Sequence, residues 1–135
     1  MTLEVEKFYI DITDRPIYDR LEKALPLKMS KKDLFMFALV IGYKNKKKEP
    51  TIFKKSEFFW ADNLKIEDEI IIKSIAISDS GDIEILQNPE ILVENIQNYA
   101  HGGILILKGK FEQYGSFTKH IEKEVQELYQ IFHSK

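Results

Sequence analysis

The sequence predicts a mainly α-helical domain of about five helices, opened by a short N-terminal strand. Three observations carry this prediction. Leu34 to Ile41 is an unbroken apolar run with helix punctuation at both ends. Phe117, Ile121, Val125, Leu128 and Phe132 step by four, four, three and four, the stripe of an amphipathic helix. Phe8, Ile10 and Ile12 alternate with Lys7, Tyr9 and Asp11, the period of a half-buried strand. The 135 residues are the size of one domain, and 44% hydrophobic against 31% charged is enough apolar matter for one core. The expected organisation is a single domain over 1–135. A strand-helix-helix segment covers 5–44, a basic loop 45–56 and a helical remainder 57–135.

The elements follow in order. After the strand, Thr13 or Asp14 can cap a helix, and Pro16 fits its first turn, where a missing N–H costs nothing. Ile17, Leu21, Ala24 and Leu25 share one face, and Pro26 stops the helix. Ser30 caps the central helix, with Asp33 at the capping-box position and Met29 and Leu34 at staple spacing. A helix apolar all round is buried, and eight residues are far short of the roughly 20 that span a bilayer. Gly42 is expected to end this helix as a left-handed cap residue, and lysines follow with the right charge for a helix C-terminus. Trp60, the only tryptophan, is expected in the core. Residues 65–78 read as helix, with Ile71, Ile75 and Ser78 on one stripe, although their isoleucines also favour strand. Asp79 to Asp82 reads as a turn. Pro89 opens the next helix, with Ile91, Leu92, Val93, Ile96 and Tyr99 inward and Gly102-Gly103 at its close. Residues 104–111 suit either strand or helix, and Ser116 caps the last helix.

There is no cysteine, so disulfides and thiolate metal sites are excluded. The N-terminus lacks a signal pattern and no apolar run is long enough for a membrane helix, so a cytoplasmic protein is expected. Residues 1–60 hold thirteen basic against nine acidic side chains, and 61–135 hold seven against thirteen. Such asymmetry fits an anion at one face, although solvated helix surfaces also produce it. The stretch 44–55 carries the charge: Lys44, Lys46, Lys47, Lys48, Lys54 and Lys55 against Glu49. These six lysines are the candidate nucleic-acid-binding residues, suited to holding phosphates without reading sequence. The rival reading is helix-end compensation and solubility.

No catalytic constellation is visible. Gly102-Gly103 is too short for a phosphate-cradling loop, and His101, His120 and His133 stand in no ligand spacing. His120 and Glu124 share a helical face, as many solvated pairs do. The Asp79–Asp82 turn lacks the length and closing glutamate of a calcium loop. No cofactor, no metal and no enzymatic activity are expected.

The order strand, helix, turn, helix over 5–44 matches the ribbon-helix-helix fold, in which two chains pair strands and read the major groove. That would make the protein a homodimeric regulator, with Lys7, Tyr9 and Asp11 facing DNA. The plainer alternative is an edge strand packed on the core.

Three stretches together resemble a known family: KKDLFMFALVIGYKNKKKEP, IIIKSIAISDSGDIEIL and ENIQNYAHGGILIL. The matching residues are Lys32, Asp33, Phe35, Phe37, Ala38, Gly42, Tyr43 and Pro50, then Glu94, Tyr99, Ala100, Gly102 and Gly103. They resemble the small proteins associated with bacterial DNA phosphorothioation (dnd-type) modification and restriction systems, over most of residues 15–108. The resemblance implies an accessory role in antiviral defence, with DNA or other proteins of the system as partners. It transfers no catalytic residue. A nuclease with a composite site is the remaining alternative.

Overall fold

The computed structural model describes residues 5–25, 27–113 and 126–131. Strand β1 is Lys7–Asp11 and strand β2 Lys55–Trp60. The helices are α1 Arg15–Ala24, α2 Lys31–Lys44, α3 Ile66–Ser80, α4 Pro89–Gln113, and α5 over 126–131. The mainly helical class with a strand at the N-terminus is what the sequence predicts.

Helix α2 is the centre, and its residues explain why. Ser30 Oγ accepts the Asp33 N–H at 3.2 Å, so the cap is as read. Leu34 to Leu39 and Ile41 are all buried, and Val40 is half-buried. Phe8, Phe35 and Phe59 meet around the N-terminal half of the helix, with ring centroids 4.9–5.5 Å apart. Phe37→Ala should cost roughly 3 kcal/mol through lost burial and a residual cavity. A denaturant midpoint that does not move would contradict the burial of this face.

The glycines correct the sequence reading. Gly42 lies inside α2, which runs on to Lys44, and Gly102 and Gly103 lie inside α4. The left-handed residue after α2 is Lys46, at φ 53°. What the glycines supply is close approach. A Cβ on Gly42 would lie 1.9 Å from the Tyr99 carbonyl oxygen, and one on Gly103 would lie 1.7 Å from that of Ala38. Backbone thus meets backbone where α2 and α4 cross, and their contact is the largest in the fold. A genuine left-handed cap does occur at Gly81, φ 74°, after α3. Asp79 and Ser80 are therefore still helical.

β1 and β2 pair antiparallel within the chain, with a register shift between Phe8 and Tyr9. The Tyr9 N–H donates to Gln97 Oε1 of α4 at 2.8 Å. One edge of β1 is thus taken by β2 and that donor of the other edge by α4, so the strand does not stand ready for a two-chain ribbon. Asp11 does not face outward either: it is buried and accepts four N–H and O–H groups. Lys7 pairs with Glu57 at 2.9 Å. The supposed helical remainder opens with β2, because Phe58 and Phe59 fill the core from a strand. The basic loop accordingly ends at Lys54.

Smaller corrections have physical causes. Ile12 leaves the strand for a 3₁₀ turn and is exposed. Neither Thr13 nor Asp14 caps α1, because Asp14 turns inward to His101. Trp60 is 50% exposed, with Lys7 Nζ 4.4 Å from its ring centroid. The buried face of α3 is Ile72, Ile75 and Ala76, one step round from the expected stripe, and Ser78 is exposed. Ile91 is exposed, whereas Leu92, Val93, Ile96 and Tyr99 are inward as read. Residues 104–111 are helix. Pro26, the Ser116 cap, His120, His133 and most of the last stripe lie outside the described residues; Leu128 is buried within α5.

Candidate nucleic-acid interface

The six lysines run from Lys44, the last residue of α2, to Lys55, the first of β2, and the path between them is built residue by residue. Asn45 closes α2: its N–H and side-chain amide both donate to the Ile41 carbonyl, at 3.1 and 2.7 Å. Lys46 takes the left-handed turn, and the Lys47 N–H returns to the Gly42 carbonyl at 2.8 Å. A Cβ on Gly102 would lie 2.0 Å from the Lys47 carbonyl oxygen, so this turn also packs on bare backbone of α4. The Glu49 N–H then donates to the Asn98 carbonyl at 3.0 Å. Asp11 Oδ2 accepts the N–H groups of Ile52 and Phe53, at 3.1 and 3.3 Å. Lys54 accepts through its carbonyl from the Ile12 N–H at 2.7 Å. Polar composition suggests a loose loop, yet its backbone is hydrogen-bonded to the rest of the fold at Lys47, Glu49, Ile52, Phe53 and Lys54.

The side chains divide. Lys48 Nζ lies 2.9 Å from Asp79, which also accepts the Tyr99 hydroxyl at 2.6 Å. Burial alone would raise the Asp79 carboxyl, but Tyr99 and Lys48 outweigh it and hold it below the usual range. Burial and Asp79 push the Tyr99 hydroxyl up to about 12. Tyr43 OH reaches Ser78 Oγ beside this group, and the Tyr43 and Tyr99 rings meet edge to face. Lys55 pairs with Glu94 at 2.6 Å. Two of the six lysines are therefore engaged within the chain. Lys47 is half-buried, while Lys44, Lys46 and Lys54 are exposed and make no ion pair among the described residues. Those three are the cations available to a phosphate.

Two features escaped the sequence reading. Ile52 and Phe53 stand 73% and 71% exposed at the tip of the connection. Asp11, which holds that tip, lies some forty residues away in sequence; burial would raise its carboxyl, but the hydrogen bonds from Thr13, Phe53 and Ile52 bring it below the usual value. The other is the buried pair of His101 and Asp14, 2.6 Å apart, on α4 and the turn before α1. Burial would lower the His101 pKa, but Asp14 outweighs it and raises it. Asp14 itself is pushed up by burial despite His101. Only a capping role was legible for Asp14, because the partner is 87 positions away.

Among the described residues no group of three His, Asp or Glu side chains is placed to hold a metal ion, and no helix is long and apolar enough to cross a membrane. No curated protein and no solved structure matches the chain. The family described as DNA sulphur modification system-associated protein 4 matches residues 26–130, a span that contains α2, β2, α3 and α4 and ends within α5. That covers more than three quarters of the sequence, with every candidate lysine inside it, and the chain belongs to this family.

Proposed function

We propose that the protein is a non-enzymatic accessory of a bacterial DNA sulphur (phosphorothioate) modification system, serving defence against foreign DNA by surface contact. The observation that carries this reading is the display of Lys44, Lys46 and Lys54 on a backbone fixed by Asp11, Asn98 and the α2 C-terminus. Exposed lysines on an anchored backbone suit phosphates of a duplex, and contacts of this kind tolerate any sequence. Among the described residues the buried acidic and basic side chains are engaged within the fold: Lys32 with Asp33 and Asp68, His101 with Asp14, and Asp11 with Thr13 and the backbone of Ile52 and Phe53. That use supports the non-enzymatic reading.

Contact with another protein of the system is the second reading, and the exposure of Ile52 and Phe53 favours it, since apolar side chains gain nothing from phosphates. The non-enzymatic part has a direct test. Purified protein with divalent cations should leave plasmid DNA and nucleotides unchanged over hours. Turnover that vanishes on substituting a single Asp or Glu would overturn it.

A further inference from the structure

Two exposed apolar features lie at opposite ends of β2. Ile52 and Phe53 precede the strand, on backbone held by the buried Asp11 carboxylate. Ile66 and Ile70 open α3 beyond the other end, one helical turn apart and 74% and 59% exposed. Five residue steps of strand, roughly 17 Å, lie between Lys55 and Trp60, with one feature before them and the other after. Each costs solubility while it faces water, and neither packs on the core.

Their surroundings carry opposite charge. Along 44–55, once Lys48 and Lys55 are held by Asp79 and Glu94, four lysines face Glu49 alone, a net +3. Along 61–87 there are seven carboxylates and two lysines; with Asp68 and Asp79 engaged by Lys32 and Lys48, a net −3 remains. Glu67 and Glu69 flank the Ile66–Ile70 face and Lys65 and Lys73 border it, within a segment that is acidic overall. Pairing two α3 faces would set carboxylates against carboxylates, and pairing two tips would set lysines against lysines. Only the tip of one copy on the α3 face of another brings apolar side chains together with opposite charges.

We propose that the protein associates with itself head to tail, Ile52 and Phe53 of one copy seating on Ile66 and Ile70 of the next. Such a contact uses two different surfaces, so every bound copy still offers one of each, and the assembly grows until it closes into a ring. Duplex binding by the lysines is a separate reading that this contact does not require; the two draw on the same cations, so they compete for one tip.

The test is light scattering and sedimentation of the full chain over a concentration series, at about 0.05 M and about 0.5 M salt. Wild type should rise above the 15.9 kDa of one chain as concentration increases, and less so at high salt, where the charges are screened. Phe53→Glu and Ile70→Lys should each remain monomeric. Mixed one to one, they should form a two-chain species and stop there, because each retains the surface the other has lost. Both side chains face solvent, so an unchanged denaturant midpoint checks the fold; Phe53→Ser and Ile70→Ser give a second pair without new charge. A wild type that stays monomeric at low salt, association that survives both substitutions, or a mixture that stays monomeric would each overturn the proposal.

Discussion

Gly103→Ala is expected to cost more than about 4 kcal/mol, enough to leave a marginally stable domain largely unfolded. The added methyl would sit 1.7 Å from the Ala38 carbonyl oxygen, 2.7 Å from its carbon and 2.8 Å from the Gly42 nitrogen. All three are backbone atoms, so no rotamer change relieves the overlap. Relief requires α2 and α4 to separate, which opens the largest helix contact in the fold. Gly42→Ala meets the Tyr99 carbonyl from the other side and should be similarly severe. Val and Asn at Gly42 should likewise fail, since the obstacle is the Cβ itself and not the backbone angle. Gly109 is the control: it lies in the same helix with nothing within 4 Å of a Cβ. Gly109→Ala should stabilise by about 0.5–1 kcal/mol through helix propensity. Urea melts of the three alanine variants test this, and a mild Gly103→Ala would contradict the crossing.

These glycines also show how far the sequence could be read. Local signals succeed where physics is local. The Ser30 cap, the all-apolar run of α2, Pro89 at the start of α4 and the alternation of Phe8 and Ile10 are each legible within a few residues. Glycine is different, because a turn and a close helix approach demand the same residue. At Gly81 the turn reading holds, and at Gly42, Gly102 and Gly103 the approach reading does. Nothing within a few residues of Gly42 announces Tyr99 above it. The lysines behave likewise. Their clustering is visible in the sequence, but which of them Asp79 and Glu94 engage depends on helices thirty to forty residues away. Size alone points Trp60 inward, but the pairing of β2 is irregular at Phe58, so Phe58 and Phe59 both turn to the core and Trp60 ends the strand half exposed.

His101→Ala should destabilise by about 3–5 kcal/mol, because it strands a buried carboxylate. Asp14 is 1% exposed, and its Oδ1 already has no hydrogen-bond partner among the described residues. Removing His101 takes the partner of Oδ2 as well and, among the described residues, leaves only the longer-range charge of Lys108 to offset the carboxylate. The wild-type pair also sets a pH dependence. The folded-state pKa of His101 lies above its ordinary value of 6.5, held there by Asp14 against burial. Its contribution is therefore complete below pH 6.5 and is lost as pH rises from there through the raised value. Asp14, raised by burial, has the same sign: folding prefers the protonated form, so that share is lost as pH rises from about 4, the ordinary range of the group. Chemical denaturation should give a higher midpoint at pH 6 than at pH 8.5. His101→Gln should flatten that difference while keeping a hydrogen-bond donor near Asp14. A midpoint that rises between these pH values would contradict the charged pair.

The contact role rests on three lysines, and fluorescence anisotropy with short duplexes of unrelated sequence addresses it most directly. With three phosphates met, affinity should fall roughly fortyfold between 50 and 200 mM salt and change little between sequences. Lys44→Gln, Lys46→Gln and Lys54→Gln together should abolish that salt dependence without lowering stability, since all three side chains are exposed. Lys48→Gln is the contrast: it breaks the pair with Asp79 and should reduce stability while leaving most of the salt slope. Binding that is steep in salt, indifferent to sequence and lost in the triple variant is the result expected. Absence of binding at 50 mM salt, or a triple variant that binds with the wild-type slope, would contradict the phosphate contact and leave the segment to a protein partner.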